Sequence, residues 1–204
     1  MHIPDGFLDP LTAGVTYVIT LVYAAYAFKK LREEKASERI TLASVLAAGI
    51  FAAQMLNWPI PGGTSLHFVG GALAGILLGP WLGFVSLFLV LLVQCLVFHD
   101  GGITALGANV LNMAIIDVLV GYALYKIFPE KYKPVGAFLG GWIGITLAGV
   151  ACGVEIGVSS QLPYGLAVTV PIMGVWHAIL GVIEGLITAA VVAYVTKRAP
   201  YLLG

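Results

Sequence analysis

The amino-terminal stretch MHIPDGFLDP places a histidine one peptide bond from the first amine of the chain. An amine, the next backbone amide nitrogen and the Nδ1 of a histidine at position two can close a five-membered and a six-membered ring around one cation. If the amide gives up its proton, its strong field favours a planar arrangement. Planar nitrogen sites suit Ni(II) or Cu(II) better than tetrahedral Zn(II), and one corner of the plane stays open for a fourth donor. Methionine aminopeptidases generally require a small second residue, so the bulky His2 should leave Met1 in place. Pro4 cannot extend the chelate because it has no amide hydrogen, and Pro4-Asp5-Gly6 reads as a turn that folds the terminus back. Asp9-Pro10 then looks like a helix N-cap with Pro at the first helical position.

Three more histidines follow, His67, His99 and His177. In PIPGGTSLHFVGGALAG, His67 comes just after an irregular Pro/Gly segment. Thr64 or Ser65 is expected to cap a helix there, with His67 one turn inside it and well placed to supply the fourth nitrogen. In FHDGGITALGANVLN, His99 with Asp100 could orient or shield the metal, because a ligating imidazole usually passes its other N–H to a carboxylate or carbonyl. Asn109 and Asn112 come next and suit either that supporting role or interhelical hydrogen bonds. Cys95 and Cys152 lie in apolar runs without CxxC spacing and read as small packed hydrophobes. With no G-x-x-x-x-G-K-[ST] loop, this chain should bind no ATP. No nucleophile–base pair suggests an enzyme, and nothing points to a nucleic-acid partner.

The elements that must hold these residues are membrane helices. Of the 204 residues 60% are hydrophobic and only 10% charged, against about 25% charged in a soluble domain. Backbone in lipid must satisfy its own hydrogen bonds, which dictates helices. Apolar runs suggest seven spans at about 10–29, 40–57, 66–79, 81–98, 103–126, 134–156 and 171–196. Spans three and four meet at Gly79-Pro80, either a tight turn or a kink. All ten Lys and Arg fall in three groups, at 29–39, 126–133 and 197–198. A real turn at Gly79-Pro80 puts all three on one side, which the positive-inside tendency makes cytoplasmic. The fold class is therefore an all-α polytopic membrane helix bundle of seven transmembrane helices, amino terminus outside and carboxyl terminus cytoplasmic. It reads as one domain over 1–204, with 1–9 as a metal-chelating segment. No cleavable signal peptide is evident.

Asp117 and Glu184 fall near the middle of spans five and seven, where ionisable groups are costly and call for a function. Glu184 shares a helical face with His177. A proton path along this stripe would suit a proton-coupled secondary metal transporter, although no matching broken segments suggest inverted repeats. Glycine makes up 26 of the 204 residues. Small-xxx-small spacings such as Gly71/Gly75 permit close helix contact, for internal packing or for docking a membrane partner.

MHIPDGFLDP together with SLHFVGGALAGILLGPWLG and DGGITALGANVLNMAI resembles the nickel/cobalt-specific substrate-binding subunit of energy-coupling-factor transporters, the NikM and CbiM families. The resemblance covers essentially the whole chain. It implies capture of Ni2+ or Co2+ as the transported substrate by Met1, His2 and His67, with a cobalt-specific member as the close alternative. It also implies a prokaryotic cytoplasmic membrane, a transmembrane coupling component, separate ATPase subunits and a small accessory membrane subunit. That accessory subunit is expected to be a separate protein, since span seven is followed only by a short tail to Tyr201-Leu202-Leu203-Gly204.

Overall fold

The computed structural model describes residues 1–34, 39–60 and 64–199. Lys35 of the first basic group and the final residues 201–204 lie outside them. Helix α1, Pro10–Glu34, begins as its sequence predicts: Asp9 Oδ1 accepts the Thr12 N–H at 2.9 Å, directly before Pro10. Its apolar side chains Leu11, Val18, Leu21 and Val22 are exposed, the surface expected of a helix facing lipid. Helix α2, Ile40–Gln54, is shorter than the run at 40–57 suggests. Among the described residues, five helical stretches are long and apolar enough by length and composition to cross a membrane: 10–33, 71–97, which breaks at Gly79, 106–127, 130–158 and 166–198.

The segment around His67 departs from expectation. Strands β1, Trp58–Ile60, and β2, Thr64–Leu66, pair antiparallel with Trp58 opposite Leu66. Thr64 and Ser65 therefore serve as strand rather than helix cap, and His67 follows in non-helical chain. Helix α3, Gly71–Val97, starts only after Gly70, whose φ of 76° is left-handed.

Within α3 the backbone leaves helical geometry at Gly79, with φ 79° and ψ 170°, a region essentially restricted to glycine. A methyl group built on Gly83 would lie 3.0 Å from the backbone of Ala74 and Gly75. In a straight helix residues nine apart are separated by about 13.5 Å, so the chain doubles back here and its two limbs pack side by side. The Arg39 guanidinium donates to the Leu78 carbonyl at 3.4 Å and to that of Leu77, closing the end of the first limb. The expected turn at Gly79-Pro80 is thus a helical hairpin.

Helix α4, Leu106–Val110, continues through one wide π-helical stretch, Leu111–Ile116, into α5, Asp117–Ile127. Helices α6, Lys133–Val158, and α7, Leu166–Arg198, meet along glycines: a methyl on Gly141 would come within 2.9 Å of Gly185, and one on Gly149 within 2.5 Å of the His177 ring. Without a hydrophobic drive between helices in lipid, such close backbone approach supplies the packing. Gly75 packs on the Val118 carbonyl in the same way, so this small-residue spacing is used internally. Phe84, Leu87, Leu91, Met113 and Ile145 are buried where the helices converge.

Candidate metal centre

The amino-terminal segment is built into the protein rather than left free. Asp5 Oδ1 accepts the Thr104 N–H at 2.7 Å and its hydroxyl at 2.5 Å. The Ser159 hydroxyl donates to the Phe7 carbonyl at 2.8 Å and accepts the Asp9 N–H at 2.9 Å. Further in, Asn109 clamps Ile3 from both sides: its Oδ1 accepts the Ile3 N–H at 2.8 Å and its Nδ2 donates to the Ile3 carbonyl at 3.1 Å. That carbonyl also accepts the Gly102 N–H at 2.8 Å. As a result Met1 and Ile3 are only 2% and 1% exposed.

Three potential donors converge at the end of this segment. The Met1 amine lies 3.3 Å from His67 Nε2 and donates to the Ser65 carbonyl at 3.2 Å. The rings of His2 and His67 stack with centroids 4.6 Å apart. Each imidazole is held with one nitrogen occupied. His2 Nε2 pairs with Gln94 Oε1 at 3.1 Å, and His67 Nδ1 with the Phe68 carbonyl at 2.8 Å. Both partners are acceptors, so those nitrogens carry the protons, which leaves His2 Nδ1 and His67 Nε2 with bare lone pairs. His2 Nδ1 is buried and lacks a hydrogen-bond partner. Asp100 Oδ1 stands 3.5 Å from it, within ion-pair range but too far for a good hydrogen bond.

Burial tunes the same groups toward ligation. It holds the Met1 amine below its ordinary value, pushes His2 down to about 3 with help from the amine charge, and holds His67 well below the usual histidine range for the same two reasons. Burial raises the Asp100 carboxyl, and the nearby amine opposes this. Protons therefore compete weakly for both imidazoles at neutral pH. Among the described residues no three His, Cys, Asp or Glu side chains cluster as metal ligands, so a cation here would rely on the main chain for donors.

Of the supporting residues named from sequence, Asp100 and Asn109 lie at this cluster and His99 does not. His99 adopts φ 55° at the end of α3, where the Asp100 N–H closes back onto the Gln94 carbonyl at 3.0 Å. This left-handed turn sends Asp100 inward and leaves His99 exposed. Sequence reasoning missed Gln94, which fixes the His2 ring; a lone Gln in the apolar run LVLLVQCLVF was the available signal. Cys152 is packed in the buried core as read from sequence, with its thiol 3.7 Å from the Met1 carbonyl. A cavity of about 690 Å³ adjoins Met1 and His2, bounded by Ile156 on α6 and by Val168 and Met173 on α7.

Residues 2–202 match the family described as "Cobalt uptake substrate-specific transmembrane region". The chain is 56% identical over 98% of its length to a NikMN sequence of Archaeoglobus fulgidus, of which it spans 67%. It is 36% identical over its whole length to the fused nickel transport protein NikMN of Rhodobacter capsulatus, of which it spans 64%. It thus covers about two thirds of these fused relatives. A crystal structure of a truncated transition metal transporter superposes with a TM-score of 0.91 at 36% identity, covering 97% of this chain and 99% of that one. The chain, a multi-pass membrane protein, belongs to the CbiM family of cobalt uptake transmembrane regions, and NikMN nickel transport proteins are among its relatives.

Proposed function

We propose that this chain is the substrate-binding subunit of an energy-coupling-factor nickel/cobalt uptake transporter, and that it captures Ni2+, or Co2+ as the close alternative, in a planar site of four nitrogens. The donors are the Met1 amine, the His2 amide nitrogen, His2 Nδ1 and His67 Nε2. The observation that carries this reading is the 3.3 Å approach of His67 Nε2 to the Met1 amine, beside a buried His2 Nδ1 that has no hydrogen-bond partner. In such a plane the fourth donor sits opposite the amide nitrogen and so next to the amine. With nitrogen–metal bonds of about 2 Å, adjacent corners are about 2.8 Å apart, a contraction of about half an ångström from the metal-free distance.

Binding would release the amide proton and any proton still on the amine. A dication with one deprotonated amide keeps a single positive charge, and Asp100 beside His2 offsets it. Cu2+ would bind these donors at least as well on intrinsic affinity, so selectivity depends on the rigidity of the clamped segment and on metal supply. The hairpin at Gly79-Pro80 and the grouping of basic residues in the sequence support seven membrane-traversing segments with the amino terminus outside, and the archaeal and bacterial relatives support a prokaryotic cytoplasmic membrane. Inward release would be driven by a separate transmembrane coupling component with its ATPase subunits, aided by a small accessory membrane subunit.

The test is a Ni2+ titration of the purified protein, by calorimetry and by the d–d absorption band, against His2→Gln, which keeps a bulky second residue and so keeps Met1 but removes the imidazole donor. Abolition of tight one-to-one binding and of the yellow planar-nickel band is expected. Equal binding by the two proteins would refute the site.

A further inference from the structure

We propose that Glu184, on α7 and out of contact with every donor, is a positioning residue that sets the direction and donor strength of His67 through one intervening peptide group. This inference rests on His67 being a ligand. Glu184 Oε2 accepts the Val69 N–H at 2.9 Å and Oε1 accepts the Gly70 N–H at 2.7 Å. The Val69 N–H and the Phe68 carbonyl are the two ends of a single peptide unit, and that carbonyl is the acceptor for His67 Nδ1–H at 2.8 Å. An unbroken chain of hydrogen bonds therefore runs from carboxylate to peptide to imidazole, and ends at Nε2, which faces the Met1 amine.

Two consequences follow from elementary electrostatics. A carboxylate on the N–H end polarises the peptide, makes its carbonyl a stronger acceptor and so makes His67 Nε2 more electron-rich. Metal-bound histidines commonly rest on a carboxylate directly; here one amide stands between. The same two bonds also pin the backbone of Val69 and Gly70, where the chain turns from β2 into α3 through the left-handed Gly70. Glu184 is 1% exposed and Val69 is fully buried, so the contact is shielded from water, where a hydrogen bond to a charged group has its largest effect. It also gives a reason for an acidic residue inside an apolar helix, where it is otherwise costly.

The experiment compares Ni2+ affinity and the planar d–d band in the unmodified protein, in Glu184→Gln, in Glu155→Gln and in His2→Gln. Glu155 is the control, a buried carboxylate bound to Asn112 Nδ2 at 2.6 Å with no bond toward His67. Glu184→Gln is expected to weaken nickel binding by about 10- to 100-fold and to move the band to lower energy. Glu155→Gln should leave the band where it is. An unmoved band with undiminished affinity in Glu184→Gln overturns the inference, as does an equal shift in Glu155→Gln. If His2→Gln leaves binding intact, the metal-centre reading fails first. Should Glu184→Gln not fold, the unmodified protein decides: planar nickel is diamagnetic, and the Val69 amide proton should move downfield in the NMR spectrum on metal binding. A Val69 resonance that stays put overturns the proposal.

Discussion

Replacing Asn109 with alanine should undock the amino-terminal segment without disturbing the helices. Asn109 makes two bonds to Ile3, and their loss is unequal. The Ile3 carbonyl keeps its bond from the Gly102 N–H at 2.8 Å, so losing Asn109 Nδ2 there costs about 1 kcal/mol. The buried Ile3 N–H is left without an acceptor, at a cost of about 1–3 kcal/mol. The sum, about 3 kcal/mol, corresponds to roughly 150-fold in an equilibrium constant. In the proposed site metal binds only the docked segment, so apparent affinity falls by the fraction that stays docked. A firmly docked segment absorbs part of the cost, and a loss between about 10- and 150-fold is expected. Calorimetric titration with Ni2+ reads the affinity, and hydrogen exchange of the amides of residues 2–5 reads the docking. Unchanged affinity with unchanged exchange would refute the claim that this clamp holds the chelating residues in place.

Gly102→Ala should weaken nickel binding at least about tenfold while leaving circular dichroism unchanged, because its methyl would come within 2.2 Å of the Asp5 backbone nitrogen; binding equal to the unmodified protein would contradict the packing. His2, at about 3, and His67 stay neutral when docked, whereas in the undocked chain each takes up a proton as pH falls below about 6.5. The buried Met1 amine, also lowered from its ordinary 8.0, adds to this, so docking is at full strength above about 8 and weakens progressively as pH drops toward 3, measurable as rising hydrogen exchange of residues 2–5. For the same reason calorimetry in buffers of different ionisation enthalpy should find about one to two protons released per Ni2+ near pH 7, from amide and amine only; none, or three and more, would exclude the donor set. Gly79→Ala should lower stability by about 1–3 kcal/mol in thermal unfolding, purely through the backbone, since nothing lies within 4 Å of the added methyl. His99→Ala should leave nickel affinity unchanged.

The convergence of Met1, His2 and His67 was legible because it rests on chelate-ring chemistry and on the one-sided distribution of charge, both of which depend on residue type and order. The Gly79-Pro80 reversal was legible for a similar reason, since only glycine tolerates that backbone. What stayed hidden is backbone-mediated. His67 was expected on a helix, but pairing of 58–60 with 64–66 keeps it in non-helical chain, and strand pairing between three-residue segments leaves almost no periodic signal. Glu184 looked like a partner for His177 along one helical face, whereas its oxygens face the backbone of Val69 and Gly70, groups common to every residue. Asp100 and His99 could not be told apart until the left-handed turn sent one in and the other out.

The clamped terminus also fixes an order of events in synthesis. Residues 1–3 leave the ribosome first, yet their partners come later: Ser65, Gln94, Gly102 and Asn109 on one side, and Cys152 at a separation of 151 residues. The earliest part of the chain is therefore among the last to find its seat, and must wait until α3 through α6 have formed. Loop closure over such separations is slow and entropically unfavourable. A chain that stalls or inserts wrongly before α6 cannot close the pocket around its own start, so competence to hold a metal reports that most of the bundle has assembled correctly.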